Sequence, residues 1–463
     1  MLRSRVEQAR QQEKHSGKPV LVSVTEPTWP LDVIDVFDRA RLLTADRFFW
    51  SQPGEGFALV GLGIAWALDA VEESRFRQTG ASWQQLLDKA IVEGPRGLPG
   101  AGPLLFGGFA FDPLRAGSQL WQGYPDGRLV LPKVLLTTRN GEGWLTCNVL
   151  ISPDSDPDLD VSSVETLRDE LLTPGAAYPH RGNHRDGNLR VAKRESMPAA
   201  EWQTRVRRTL GDIASGKLEK AVLARAVDLE ALHPFDAARA LRQLSDNYPG
   251  CFVFAIARGE QCFLGATPER LAELHDGAIR TMALAGSIRR GATAVEDRQL
   301  GEQLLASAKD RHEHEVVVRT VVEALGPLCD QLDVGATPSL LKLGNVQHLY
   351  TPVTGHLCSA CTLLNVVERL HPTPAVGGRP REAALALIRE REGFDRGWYG
   401  GPVGWIDQRG EGEFAVAIRS ALLHGTQATL FAGCGIVADS DPEREYAEAA
   451  LKLKPMLSAL GAE

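Results

Sequence analysis

Seven cysteines in 463 residues are too few and too scattered to staple a scaffold, and their odd number points to a reducing compartment. Long apolar runs are also missing. No stretch approaches the roughly 20 residues needed to cross a bilayer, and the opening MLRSRVEQARQQEKHSGK mixes both charge signs without an apolar centre. Neither a membrane span nor a secretory leader is expected, and the expected location is cytoplasmic. Excess positive charge is lacking: 51 Lys and Arg against 59 Asp and Glu give a formal net charge of −8, so nothing steers the chain to nucleic acid or anionic lipid. Gly61-Leu-Gly63 follows an apolar run but lacks the rest of any phosphate-binding fingerprint, and reads as a turn between strands. Cys358-Ser-Ala-Cys361 is the only C-x-x-C; without a second pair or a thioredoxin-like setting it reads as two ordinary small apolar residues, not a redox pair or half a zinc site.

What the chain does have is apolar residues at 43%, ample for a large core. To about residue 175, strand-like runs at Pro19–Val24, Phe57–Leu62, Leu104–Phe111, Leu129–Thr137 and Trp144–Ile151 are separated by Gly, Pro and Asp turns. Thr173 to Met197 is polar and reads as an exposed connection. Beyond it strands recur between helices, with no internal repeat.

The densest chemistry lies in Glu413 to Lys454. Period-two alternation in Phe414-Ala-Val-Ala-Ile-Arg419 predicts a strand with Arg419 beside Ala415 and Ala417, leaving room for a carboxylate to meet its fork. A surface ion pair is the plain alternative. Ala428 to Val437 reads as a strand that breaks at Gly433-Cys-Gly435, where backbone can approach a ligand or simply bulge. Ser440 or Asp441 then caps a helix with Pro442 first, and Glu445, Glu448 and Lys452 project from one face of it. They are a solvated ion-pair row or, with two adjacent carboxylates, a holder for magnesium.

Three further segments carry candidates. Gly301 to Leu325 is predicted as one long helix in which Ala306, Asp310, Glu313, Val317 and Val321 form a stripe, so Glu313 lies among apolar positions and needs a cation. Zinc is the rival there, but His312 and His314 point about 200 degrees apart on a helix and cannot share one ion. Trp202, Val206, Leu210, Ile213 and Ala214 form a helical stripe ending at Gly216. The strand Lys220-Ala-Val-Leu-Ala-Arg225 follows, with Lys220 on the face of Val222 and Ala224. A lysine buried there is a candidate general base; a lysine starting a strand can equally be exposed. Glu269, in the turn after Cys262-Phe-Leu-Gly-Ala-Thr-Pro268, is a candidate general acid or a turn residue paired with Arg270.

Taken together these segments resemble the chorismate-utilising enzymes, most closely the isochorismate synthases. The resemblance runs through LEKAVLAR (218–225), FLGATPER (263–270), ALAGS (283–287), SAKDRHEH (307–314), Gln347-His348-Leu, LHPTPAVGG (370–378) and RGWYGGPVGW (396–405) to the C-terminal stretch, over about residues 195 to 456. Earlier residues match loosely, chiefly through FGGFAFD (106–112). It implies an α+β fold of two stacked, largely antiparallel sheets with helices on their outer faces, in which residues 1–180 belong to the same intertwined unit as a catalytic region at 195–463.

The resemblance also implies roles. Lys220 corresponds to the base that activates water for attack at C2 of chorismate, and Glu269 to the acid that protonates the departing C4 hydroxyl. Glu313 and Glu448 correspond to Mg2+ ligands, with Glu445 and Asp310 acting through coordinated water. Tyr399 and Arg419 match residues that hold the enolpyruvyl carboxylate. Gly286, Ser287, His348, Gly435 and Lys452 line the rest, Ser287 standing where threonine is common. Anthranilate synthases lack the lysine seen at Lys220 and use ammonia. Aminodeoxychorismate synthases carry another lysine within the segment matching 283–287, absent here. Salicylate synthases share the site and go on to expel pyruvate, which makes them the second reading; a catalytically silent relative is the third. The expected product enters menaquinone synthesis, with a siderophore pathway as the alternative. No glutaminase partner is expected, and the chain is expected to be a monomer or homodimer.

Overall fold

The computed structural model describes all residues except 96, 116, 174–190, 196, 360 and 463, so most of the polar connection before residue 195 lies outside the described residues. Alternating side chains sort the apolar residues into layers. In the strand Phe252–Arg258, Phe252, Phe254 and Ile256 join one buried cluster, while Val253, Ala255 and Ala257 join another. The first cluster takes in Phe106, Val403, Trp405 and Ala415 from a second sheet, so it is the layer between two sheets. The second lies beneath the helices Val33–Arg39, Ala237–Asn247 and Pro442–Ala459, through Phe37, Leu241 and Met456. A further cluster packs Arg75–Leu87, Ala308–Leu325 and Leu363–Leu370 on the outside of the other sheet. The fold is α+β, helix over sheet over sheet over helix.

The sheets have 13 and 10 strands among the described residues. Every pairing is antiparallel except that of Val20–Thr28 with Ile91–Glu93. Each sheet draws on both ends of the chain. Asp46–Gln52 pairs with Phe252–Arg258, Phe49 opposite Ala255, and Leu104–Phe109 pairs with Pro402–Asp407, Phe106 opposite Trp405. No helix among the described residues is long and apolar enough to cross a membrane.

The chain passes between the sheets several times. The apolar run Leu129–Thr137 is two strands, Gly127–Leu131 in the smaller sheet and Val134–Arg139 in the larger, parted at Pro132, which cannot donate to a ladder. At Pro268-Glu269 the chain leaves Gln261–Thr267 of the larger sheet for Arg270–His275 of the smaller. At Ala417 to Arg419 it returns, from Gly412–Val416 to Ser420–His424.

Four sequence expectations need correcting. Arg419 is not on a strand: pairing stops at Val416, and Arg419 takes φ 51° in the crossing bend, a conformation uncommon outside glycine. The strand Gln427–Ile436 does not break at Gly433 and Gly435; both stay in register with Ala224 and Val222 of Lys220–Ala231. Gly301 to Leu325 is two helices, Ala294–Ala306 and Ala308–Leu325, because the Ser307 hydroxyl accepts from the Asp310 N–H and caps the second. Cys358 and Cys361 are not merely apolar filler. A turn in which the Cys361 N–H donates to the Cys358 carbonyl at 2.9 Å sets their Cα atoms 5.4 Å apart, and they are joined as a disulfide.

Candidate active site

The crossings at Glu269 and at Arg419 bond to each other's neighbourhood. The Val416 N–H donates to the Glu269 carbonyl at 2.9 Å, and the Ala266 N–H to the Arg419 carbonyl at 3.2 Å. Glu269 and Arg419 thereby meet at one cavity of about 60 Å³, although 150 residues of chain separate them. Gly286, Ser287, Glu313, His348, Tyr399, Gly435, Glu448 and Lys452 line the same cavity. Lys220 and Glu445 do not line it but adjoin lining residues, Lys220 at 2.9 Å from Glu313 and Glu445 beside Glu448.

Glu269 is 5% exposed, and Arg270 does not neutralise it, because that guanidinium pairs with Glu413 at 2.6 Å. Burial raises the Glu269 pKa to about 7, against the pull of Lys220, a 3.4 Å hydrogen bond from the Thr373 hydroxyl, Lys452 and Arg419. A carboxyl so placed keeps its proton near neutrality.

Lys220 opens the strand Lys220–Ala231 yet is fully buried, because the short segment Gly378–Arg379 pairs outside it. Its amine lies 2.9 Å from Glu313 on the helix Ala308–Leu325. Gly435 makes this contact possible. A Cβ there would sit 2.1 Å from the Glu313 carboxylate and 2.8 Å from the Lys220 Cε, so any side chain would push these two groups out of place. Burial draws the Glu313 pKa up, but Lys220 and Lys309 outweigh it and hold the group ionised.

Glu445, Glu448 and Lys452 do share one face of the helix Pro442–Ala459, which Asp441 caps. Lys452 bonds Glu448 at 2.7 Å and the Gly433 carbonyl at 3.1 Å. Glu445 is 1% exposed and pairs with Lys309 at 2.7 Å, while its other oxygen, also buried, has no partner. Burial and then Glu448 raise its pKa. Among the described residues, the one trio of ligand atoms all within 4.8 Å is His275, Asp276 and Glu411 at the surface, where Arg409 already lies 2.6 Å from Glu411. The three glutamates are spread wider, and each is paired with its own lysine. The orphaned Glu445 oxygen and the mutual repulsion of Glu445 and Glu448 are what an oxygen-preferring divalent cation relieves, so this donor set fits magnesium. Asp310 stays near the site, its Cβ 3.1 Å from where a side chain on Gly286 would begin. Gly286 itself has φ +75° at a bulge, a position that suits glycine.

At the opposite end, the Arg419 guanidinium donates to Nε2 of His348 at 3.2 Å, which leaves the proton on Nδ1, facing the Gly286 carbonyl at 3.2 Å and the Ser287 hydroxyl at 2.9 Å. Burial, Arg419 and Lys452 push the His348 pKa well down and keep the ring neutral. Burial raises the Tyr399 pKa, so the phenol is protonated and can donate. His312 is exposed while His314 is buried and bonded to Thr351 at 2.7 Å, on opposite sides of their helix as the periodicity required.

Sequence reasoning missed three participants. Lys309 neutralises Glu445, Thr373 bonds Glu269, and Arg396 lines the cavity while locked to Glu392 and to the Val222 and Val376 carbonyls. All three stand inside stretches that carried the resemblance, SAKDRHEH, LHPTPAVGG and RGWYGG, but nothing in spacing distinguished them from their neighbours.

A family model described as "Chorismate binding enzyme" matches residues 5–461, and the chain belongs to that family. Within it, the chain is 36% identical over 467 residues to isochorismate synthase MenF of Bacillus subtilis, covering 100% of this chain and 98% of that protein. It is 39% identical over 468 residues to the salicylate biosynthesis isochorismate synthase of Pseudomonas aeruginosa, covering 100% and 94%. Among solved structures it is similar to MenF, the menaquinone-specific isochorismate synthase of Escherichia coli, with a TM-score of 0.78 and 27% identity over 98% of this chain and 99% of that one.

Proposed function

We propose that this protein is a magnesium-dependent isochorismate synthase. The observation that carries the reading is that Glu269, protonated near neutral pH, lines a small cavity while the buried Lys220 amine, 2.9 Å from the lining Glu313, lies within electrostatic reach of it. Water enters at C2 of chorismate as its proton passes to the Lys220 amine. The ring double bonds shift, and the C4 hydroxyl departs with the proton of Glu269. One water is consumed and one released, so the reaction is an isomerisation. Arg419, Tyr399 and Lys452 hold the carboxylates, and neutral His348 orients Arg419.

Glu313 and Glu448, with Glu445 beside them, would hold magnesium, which supplies charge neutralisation for the ring carboxylate. Glu313 would then share its charge between the ion and Lys220, and the Lys220 amine is the group placed to serve as base. Lys309 and Lys452 set how much negative charge the three glutamates present. The presence of Lys220 favours water over ammonia as the nucleophile.

Menaquinone synthesis as the destination is supported by the full-length similarity to the menaquinone-specific enzyme. The equally full-length relative from salicylate biosynthesis supports a second destination for the same product. Incubating the protein with chorismate, with and without magnesium, and separating the products tests the activity: isochorismate without pyruvate, formed only with magnesium, is expected. Salicylate with pyruvate, or unchanged chorismate, overturns it. Restoration of menaquinone in a strain lacking its isochorismate synthase tests the destination.

A further inference from the structure

A second cavity, of about 240 Å³, shares a wall with the active site. Pro372, Thr373, Pro374 and Gly378 face this cavity, while Ala375 and Val376 of the same segment face the active site. Its floor is apolar, from Val321, Ala324, Leu370 and the prolines, and its cations are Arg369, Arg379 and Arg381. Arg379 is tied down, 3.0 Å from Glu323 and 3.2 Å from Glu219. Arg369 and Arg381 are not: among the described residues neither has a carboxylate within 4.0 Å, and Arg381 reaches only the Arg369 carbonyl, at 3.5 Å. Both side chains are open to solvent at the cavity mouth, and Glu368, then Glu73 and Glu382, act on Arg381 from beyond ion-pair distance, Glu368 lying 3.5 Å from Arg77. The helix Arg381–Arg391 begins at the same mouth with Pro380 as its cap, so no side chain satisfies its first N–H groups.

Two unpaired guanidiniums that repel each other, an uncapped helix start and a largely apolar interior together suit one kind of occupant. We propose that this cavity binds a small monocyclic carboxylic acid, its carboxylate on Arg369 and Arg381 and its ring against the prolines, and that occupancy slows the active site. Bidentate Arg–carboxylate contacts supply the recognition, and the apolar floor takes the ring. The coupling is built into the backbone. Arg379 and Gly378 are paired with Lys220 and Ala221, the Glu219 N–H donates to the Arg379 carbonyl at 2.8 Å, and Thr373 bonds Glu269. One cavity wall thus touches both candidate catalytic residues, so a ligand that shifts it by a fraction of an ångström displaces acid and base alike.

The inference rests on the proposed function only in its kinetic arm. Calorimetry with benzoate as the probe should show binding to the wild-type protein, weaker binding of uncharged benzamide, and an affinity for benzoate reduced by more than about tenfold in Arg369→Gln/Arg381→Gln, the loss expected of charge-assisted bonds. In turnover of chorismate, benzoate should lower kcat at unchanged KM. The double variant should match the wild type without benzoate and ignore it when added. Absence of binding, undiminished binding by the double variant, or inhibition that only raises KM overturns the site. If chorismate is not turned over at all, the proposed function fails while calorimetry still decides the cavity.

Discussion

Burial holds the proton on Glu269 up to a pH of about 7, and that single fact yields two expectations. Turnover should decline as pH rises through about 7, because the ionised carboxylate has no proton for the leaving hydroxyl, and Glu269→Gln should lose about 10²- to 10⁴-fold in kcat across the whole range. The same shift bears on stability. A carboxyl whose pKa is raised on folding from 4.5 to about 7 contributes fully below 4.5, and the contribution is lost as pH climbs to about 7. The melting temperature of Glu269→Gln, taken relative to wild type at each pH, should therefore rise between those values and then level off. Lys220→Ala should abolish water addition while leaving magnesium-dependent chorismate binding, read by calorimetry; turnover at the wild-type rate would remove the assigned base. At Gly435 the closeness of Glu313 and Lys220 leaves no room for a methyl group, so Gly435→Ala should cost most of kcat with the fold retained by circular dichroism. At this scale the sequence showed which groups carry charge and little about their partners. Glu269 stands next to Arg270 in the chain, yet Arg270 belongs to Glu413, from a strand more than 140 residues on.

Helical period is a local property, and elements governed by it were legible. The helix Pro442–Ala459 begins at its expected cap and presents Glu445, Glu448 and Lys452 together, and His312 and His314 diverge. Where one element meets another the pattern was silent. The division of residues 294–325 into two helices depends on a serine side chain choosing the Asp310 amide over solvent, and the strand carrying Arg419 stops early because the chain must cross to the other sheet. Removing the cap in Ser307→Ala should cost about 1 kcal/mol of stability in urea unfolding. Between elements, the two glutamate-bearing helices bring Glu313, Glu445 and Glu448 to the site proposed to hold magnesium. Glu448→Gln should weaken magnesium binding, measured by calorimetry without substrate, and Lys309→Met should strengthen it by removing the charge that competes for Glu445.

Across the whole molecule, the two ends of the chain interleave. Because Asp46–Gln52 lies against Phe252–Arg258 and Leu104–Phe109 against Pro402–Asp407, a fragment of residues 195–463 exposes a strand edge and half an apolar layer in each sheet. Such a fragment should show no cooperative thermal transition, and co-expression with residues 1–180 should restore one. The sequence alone determined many of the strands and helices, though not all their limits, together with the apolar faces they would bury and the charged residues that would be left among them, since each follows from periodicity within a few turns of chain. Tertiary structure alone decided that Glu269 and Arg419 would meet, that Lys220 would face Glu313 and that Glu445 would keep one oxygen unpartnered. Those outcomes depend on which strands pair and where the chain crosses between sheets. Such contacts join residues far apart in the chain, and no local pattern encodes them.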